Sequence, residues 1–164
     1  MHMNLNISII LSAAFLLISC SGNSPNSSQQ LIFLEPTTTT GAEALLAQEI
    51  NRVRVQNGRP EIKRSAKLDA VAAQESARLA AAGSRSADVS SLRKNSGFSQ
   101  AGVLVGTLKD SGPSTGSEYP KYWMKEANDR NVMLNLWSTI GVGTSKTASG
   151  DLVSTVIFGG VQRR

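Results

Sequence analysis

The sequence predicts an α+β fold, with helices in its first half and strands in its last quarter. Three observations carry this. Two stretches between residues 42 and 82 repeat apolar residues at helical spacing. Two apolar runs near the C-terminus are separated by a turn-forming loop. Between them lies Tyr122 to Gly143, YWMKEANDRNVMLNLWSTIGVG, which holds both tryptophans, starts as an amphipathic helix and ends as a strand. Helices that precede strands in this way pack as separate layers around one core.

Taken in order, Thr40-Gly41-Ala42-Glu43 reads as a capping box before a helix whose Leu45, Leu46, Ile50 and Val53 share one face. Asn57-Gly58, with Pro60 beyond, ends it. A second helix opens near Ser65. Its Leu68, Val71, Ala72, Glu75 and Leu79 fall on one face, its many alanines permit close packing, and Gly83 ends it. Ser84 to Gly97 reads as polar and irregular, with Val89 and Leu92 as its aliphatic anchors. Ala101 to Leu108 reads as a short buried strand or turn, and Lys109 to Ser117 as a loop. Pro120 suits the first turn of a helix carrying Tyr122, Trp123 and Met124. Ser138 to Thr144 and Leu152 to Phe158 then form a hairpin across Gly150-Asp151. The second of these strands is apolar on both faces, with Leu152, Val156 and Phe158 on one and Val153 and Ile157 on the other, which predicts a central strand. Gly141 and Gly143 read as close-packing positions. No helix start follows them that would make a phosphate site.

The chain has 164 residues and a formal charge of +5. Its basic residues are scattered and aromatics are only 5% of the chain, so nucleic-acid binding is not supported. Ile7 to Ile18 has the length of a signal-peptide core and ends at Leu17-Ile18-Ser19-Cys20, which resembles a bacterial lipobox. The chain therefore divides into a lipoprotein signal peptide over 1–19, a lipidated flexible tether over 20–40 and a folded domain over 41–164. The tether is rich in Ser, Asn, Gln and Thr, interrupted by Leu31-Ile32-Phe33-Leu34. Cys20 is the only cysteine, and acylation there would anchor the protein to a membrane. Ser21, where an aspartate would retain a lipoprotein at the inner membrane, points to the outer membrane.

The only histidine is His2, inside the leader. Ser-His-Asp and Cys-His catalysis and zinc sites built on His or Cys are thereby excluded from the domain. Acid–base chemistry falls to carboxylates, lysine or tyrosine. The candidate cleft is Trp123, Glu126, Asp129 and Arg130, where charge gathers beside a tryptophan. Glu126 and Asp129, three apart, would share a helix face as a general acid and base for glycoside cleavage. The plainer reading pairs them on the surface with Lys125 and Arg130. It prevails because divided acid and base roles need unequal environments. The two tryptophans read as core anchors before ligand contacts. No cofactor or metal is expected.

These pieces together resemble the CAP superfamily, also called SCP or PR-1-like, in its short bacterial form. LLAQEINRVRVQNGRPEI keeps the family's opening, with Asn51, Arg54, Gly58 and Pro60 in place. LDAVAAQESARLAAAG, WMKEANDRNVML and IGVG, then Gly150 to Gly159, follow its later segments, so the resemblance covers roughly residues 42–160. It implies an α-β-α sandwich. It also implies a central cavity with two histidines and two glutamates that can hold a divalent metal. Here the first histidine falls near Ala87, the first glutamate near Gly102 and the second histidine on Asp129, and only Glu126 matches. The resemblance with these departures implies a non-catalytic module binding a lipid, a wall polymer or a protein. The alternative is a carboxylate-dependent hydrolase using Glu126 or Asp129.

Overall fold

The computed structural model describes residues 40–112 and 114–160. The leader, Cys20 and the rest of the tether up to residue 39 lie outside them, whereas Thr40, assigned to the tether by the sequence, is the first residue of the first helix. Among the described residues the elements run α1 (Thr40–Gln56), β1 (Lys63–Arg64), α2 (Ala66–Ala82), α3 (Val89–Ser96) and β2 (Gln100–Leu108). A 3-10 turn at Thr115–Glu118 follows, then α4 (Tyr119–Trp123), α5 (Ala127–Met133), β3 (Thr139–Lys146) and β4 (Leu152–Gly160). The strands form a sheet in the order β1-β3-β4-β2, with β1 parallel to β3 and the other pairs antiparallel.

β4 is an inner strand and all nine of its residues are buried, as its two-sided apolar pattern predicts. Leu46, Ile50 and Val53 of α1, with Trp123 and Met133, pack on the sheet face that carries Leu104, Ile140, Val142, Val156 and Phe158. The opposite face carries Ile157 and Val153, covered by Leu68, Ala72, Leu79 and Ala80 of α2 and Leu92 of α3. The result is a helix–sheet–helix sandwich. Each fully buried Leu, Ile or Phe contributes about 1.5–3 kcal/mol.

Two sequence features set the closeness of α2 to the sheet. Ser65 caps the helix through its side chain at the Leu68 N–H, and Gly83 closes it at φ 60. A Cβ on Gly141 would collide with the backbone of Leu68, and one on Gly143 with that of Ala73. These glycines are there for helix–sheet contact, as expected. The hairpin between β3 and β4 turns at Gly150, φ 85, whose N–H donates to the Thr147 carbonyl at 2.9 Å.

The structure differs from the sequence reading in three places. Ser84 to Gly97 is not irregular throughout, because α3 forms inside it. Asp88 caps α3 by accepting from the N–H groups of Ser90 and Ser91, and Gly97 stops it at φ 75. β2 is a nine-residue strand paired along its whole length with β4, not a short strand or turn. The helix expected from Pro120 onward breaks in two, with Met124 to Glu126 between α4 and α5.

Arg54 is fully buried and no carboxylate meets it among the described residues. Its Nη1 donates to the carbonyls of Met133 (2.6 Å) and Asn135 (3.0 Å), and its Nε to that of Pro60 (3.2 Å). Burial, then the charge of Arg59, lowers its pKa from the ordinary arginine value. One turn earlier Asn51 exchanges two hydrogen bonds with the backbone of Ile62, each 3.0 Å. The Asn-x-x-Arg pair thus ties α1 to the segment entering β1 and to the turn leaving α5.

The sheet ends differently on its two sides, because β1 covers β3 only at Thr139 and Ile140 and leaves the rest of that strand's outer side without a partner strand. On β3 the even residues face outward. The Ile140 carbonyl accepts from Ser65 (2.9 Å), the Val142 N–H donates to Asp69 Oδ1 (2.8 Å), and the Thr144 N–H donates to Glu43 Oε1 (3.1 Å). Because backbone groups alternate in direction along an antiparallel ladder, Gly141 and Gly143 then face β4. The even residues of β4 turn to β2, where they meet Gly102, Leu104, Gly106 and Leu108. Ala101, Val103, Val105 and Thr107 are therefore left to point their backbone groups away from the sheet.

Candidate functional site

The candidate residues fall on α4, α5 and the break between them. Pro120 opens α4, and the Met124 N–H closes it on the Pro120 carbonyl at 2.9 Å. Glu126 then takes an extended conformation, φ −89 and ψ 127, as the residue before α5. Glu126 and Asp129 therefore do not ride one helix face as their spacing suggests. Glu126 is exposed, and Asp129, inside α5, is half-buried. Burial, then the negative charge of Glu126, raises the Asp129 pKa above the ordinary aspartate value.

The expected surface pairing is also absent. Among the described residues no ion pair joins Lys125, Glu126, Asp129 and Arg130. Arg130 Nη1 donates instead to the Met124 carbonyl at 3.3 Å, bracing the break. The Lys125 ammonium lies 5.4 Å from the centre of the Tyr122 ring, where the ring face attracts a cation.

Trp123 is 3% exposed, so it anchors the core and lines no open cleft. It stacks on Tyr119 with ring centres 5.4 Å apart, and its Nε1–H donates to the Val105 carbonyl at 3.4 Å. Trp137 packs against Phe158 at 6.0 Å, and its Nε1–H donates to the Val132 carbonyl at 2.6 Å. The place of Trp137 decides what position 102 can hold. A Cβ on Gly102 would lie 2.7 Å from Trp137 Cζ2 and 2.8 Å from Val132 Cγ1. No carboxylate-bearing side chain fits there without moving the indole. Of the four positions that the resemblance assigns to a metal, Ala87 and Gly102 supply no donor, and Glu126 and Asp129 remain. These residues do not fit a bound divalent ion, which takes three or more protein donors. No group of three or more His, Cys, Asp or Glu gathers elsewhere among the described residues.

Two surface cavities open away from this region. One, about 530 Å³, runs along the outer side of α1 past Leu45, Gln48, Glu49, Arg52, Val55 and Glu61. The other, about 570 Å³, lies between α2 and α3 and is lined by Gln74, Glu75, Arg78, Ala87, Asp88 and Asn95. Glu75 is 7% exposed, and its two oxygens accept from Arg78 Nε (2.8 Å) and Nη2 (2.7 Å). Its place among the apolar residues of α2 concealed this role from the sequence reading, although Arg78 three residues on was the signal for it.

Comparison with known proteins bears on the fold. The family model "CAP: Cysteine-rich secretory protein family" matches residues 47–158. An outer surface protein from Borrelia burgdorferi superposes with a TM-score of 0.66 at 15% identity, over 76% of this chain and 96% of that one. A cysteine-rich secretory protein from Staphylococcus aureus gives 0.59 at 18% identity, over 73% of this chain and 38% of that one. An extracellular protein with an SCP domain from Bacillus anthracis gives 0.57 at 16% identity, over 74% of this chain and 41% of that one. The chain spans about two fifths of the length of the latter two proteins. No curated protein sequence matches it significantly.

Proposed function

This chain belongs to the CAP family of cysteine-rich secretory proteins, and from that premise we propose that it is a lipid-anchored, non-catalytic binding module of the bacterial cell envelope. Cys20 is the anchor, the tether holds the domain off the outer membrane, and the domain presents its surface to a lipid, a wall polymer or a protein. The observation that carries this reading is the Trp137 indole packed into the space above Gly102. It replaces a carboxylate position with packed side chains, and of the four ligand residues that the resemblance implies the chain keeps one, the exposed Glu126, with Asp129 standing where a histidine would be. The names of the superposed proteins, outer surface, secretory and extracellular, support an envelope location. Of the two cavities described, the one between α2 and α3 offers the polar groups that a glycan or peptide would use.

The hydrolase reading retains one supporting observation. Asp129 is half-buried with a raised pKa while Glu126 beside it is exposed, an unequal pair of the kind acid–base catalysis uses. Two experiments separate the readings. Calorimetric titration with zinc and calcium is expected to show no tight site. A screen of lipid vesicles, glycans and envelope proteins is expected to return a ligand. Tight zinc binding, or glycan or peptide hydrolysis that disappears in Glu126→Gln, overturns the binding-module reading. Silence from every ligand class overturns it in favour of a purely structural role.

A further inference from the structure

We propose that the outer edge of β2 pairs with the same strand of a second copy, giving a two-fold symmetric dimer whose sheet runs through both molecules. The backbone directions come first. Ala101, Val103, Val105 and Thr107 point their N–H and C=O groups away from β4. Among the described residues no strand pairs with that side, and of these groups only the Val105 carbonyl is engaged, by Trp123 at a long 3.4 Å. The four residues are partly exposed, so the edge is not sealed by the helices above and below it.

Exposed edges are ordinarily guarded by charge, proline, a bulge or shortness. β2 has none of these. Gln100 to Leu108 contains no charged residue and no proline, and it pairs with β4 in nine consecutive steps without a bulge. Such an edge accepts another strand through main-chain hydrogen bonds.

The sequence selects the occupant. Gly102-Val103-Leu104-Val105-Gly106 reads the same in both directions. A two-fold axis at Leu104 places Val103 opposite Val105 of the second copy and Ala101 opposite Thr107. These are the residues whose backbone groups point outward, so the register lets them bond in pairs. The same axis sets glycine opposite glycine and valine opposite valine, so the small and β-branched positions match across it. A one-residue slip would set an outward-pointing residue against an inward-pointing one and lose the bonds. An isologous contact of this kind closes on itself and stops at two copies.

The test uses the full chain carrying Cys20→Ser, which prevents acylation and disulfide exchange. Sedimentation in mild detergent over a wide concentration range is expected to show a monomer–dimer equilibrium. Hydrogen exchange is expected to show the Ala101, Val103, Val105 and Thr107 amides gaining protection as concentration rises, while Gly102, Leu104 and Gly106 stay protected throughout. Thr107→Pro removes an outward N–H and no bond to β4, and should weaken the dimer at least about tenfold. Ala101→Lys with Thr107→Lys sets like charges face to face and should do the same, so the test survives if the proline variant misfolds. A monomer at every concentration overturns the proposal, as does a dimer that the lysine variant leaves intact. Edge amides protected independently of concentration overturn it too.

Discussion

Along β3 the outward N–H groups of Val142 and Thr144 each meet a carboxylate, whereas along β2 the outward N–H groups of Ala101, Val103, Val105 and Thr107 meet no acceptor among the described residues. Both strands belong to the same sheet and flank the same buried β4. The difference lies in which helix passes each edge. α1 and α2 run beside β3 and bring Glu43 and Asp69 to it, with Arg64 bonded to Asp69 at 3.0 Å. A negatively charged side chain aimed at a strand's N–H groups occupies the donors that an incoming strand would use. It guards an edge, as charge and proline do elsewhere, and it also ties the helix to the sheet. Among the described residues no carboxylate accepts from the outward N–H groups of β2, and the side chain bonded to its edge, Trp123, is an N–H donor and engages a carbonyl.

The comparison can be broken most forcefully at the helix–sheet seam beside the closed edge. Gly143→Ala would drive a methyl into the Ala73 backbone and lift α2, with Asp69, off β3. A loss of about 3 kcal/mol or more is expected in denaturant unfolding. A loss below about 1 kcal/mol would show that α2 can slide, and that its acids are not held in place by packing. Asp69→Ala should cost about 2 kcal/mol, because it orphans the Val142 N–H and removes the nearer of the two carboxylates beside Arg64, leaving Glu43 at 4.0 Å. Exchange should quicken at the Val142 amide and stay unchanged at β2; a uniform acceleration would mean global destabilisation instead.

Glu43→Gln sharpens the same edge through pH. Burial is the largest influence on Glu43 and raises its pKa above 4.5, outweighing the Thr144 and Arg64 contacts that lower it. The folded state therefore holds this proton more tightly than the unfolded state does. The wild-type chain loses stability from this group as pH rises through the folded pKa, and the penalty is absent below the unfolded one. The glutamine keeps an acceptor for the Thr144 N–H and has no charge to bury. Its stability relative to wild type should rise from acid to neutral pH, and a fall over that range would refute the sign. The smallest expected effect is on the open edge. Trp123→Phe keeps the stack on Tyr119, frees the Val105 carbonyl and should cost about 1 kcal/mol. Tighter self-association of that variant would match an edge gaining an acceptor, and weaker association would contradict it.

The readable parts of this fold were those with local spacing. The α2 face, the αL glycines at Gly58 and Gly83 and the two-sided β4 all announce themselves within a few residues, and so does the α1 face except at Leu45, which lies exposed on the outer side of the helix instead of beside Leu46, Ile50 and Val53. α3 went unread because it buries one aliphatic side chain, Leu92, although Asp88 and Gly97 mark its ends. The break at Met124–Glu126 carries no glycine or proline, so a continuous helix was the natural reading. The edge acids were beyond reach for another reason. Glu43 and Asp69 meet their partners 101 and 73 residues away, whereas in sequence Glu43 reads as the acid of a capping box and Asp69 as an ordinary helix-surface acid. Trp137 reads as a core anchor, and it packs partly buried against the core. That it fills the space over Gly102 depends on a contact between α5, its exit turn and β2 that no spacing encodes.

The buried guanidinium of Arg54 has a kinetic consequence. Its bonds to Met133 and Asn135 close loops of 79 and 81 residues, so they can form only after most of the chain has been gathered in. Contacts of such long range arrive late, and a residue whose bonds are missing from the transition state acts on the unfolding rate alone. Arg54→Lys should steepen escape from the native state while leaving the refolding limb of the chevron where it was. This one side chain would then serve less as a weight on the equilibrium than as a latch on the lifetime of the native state.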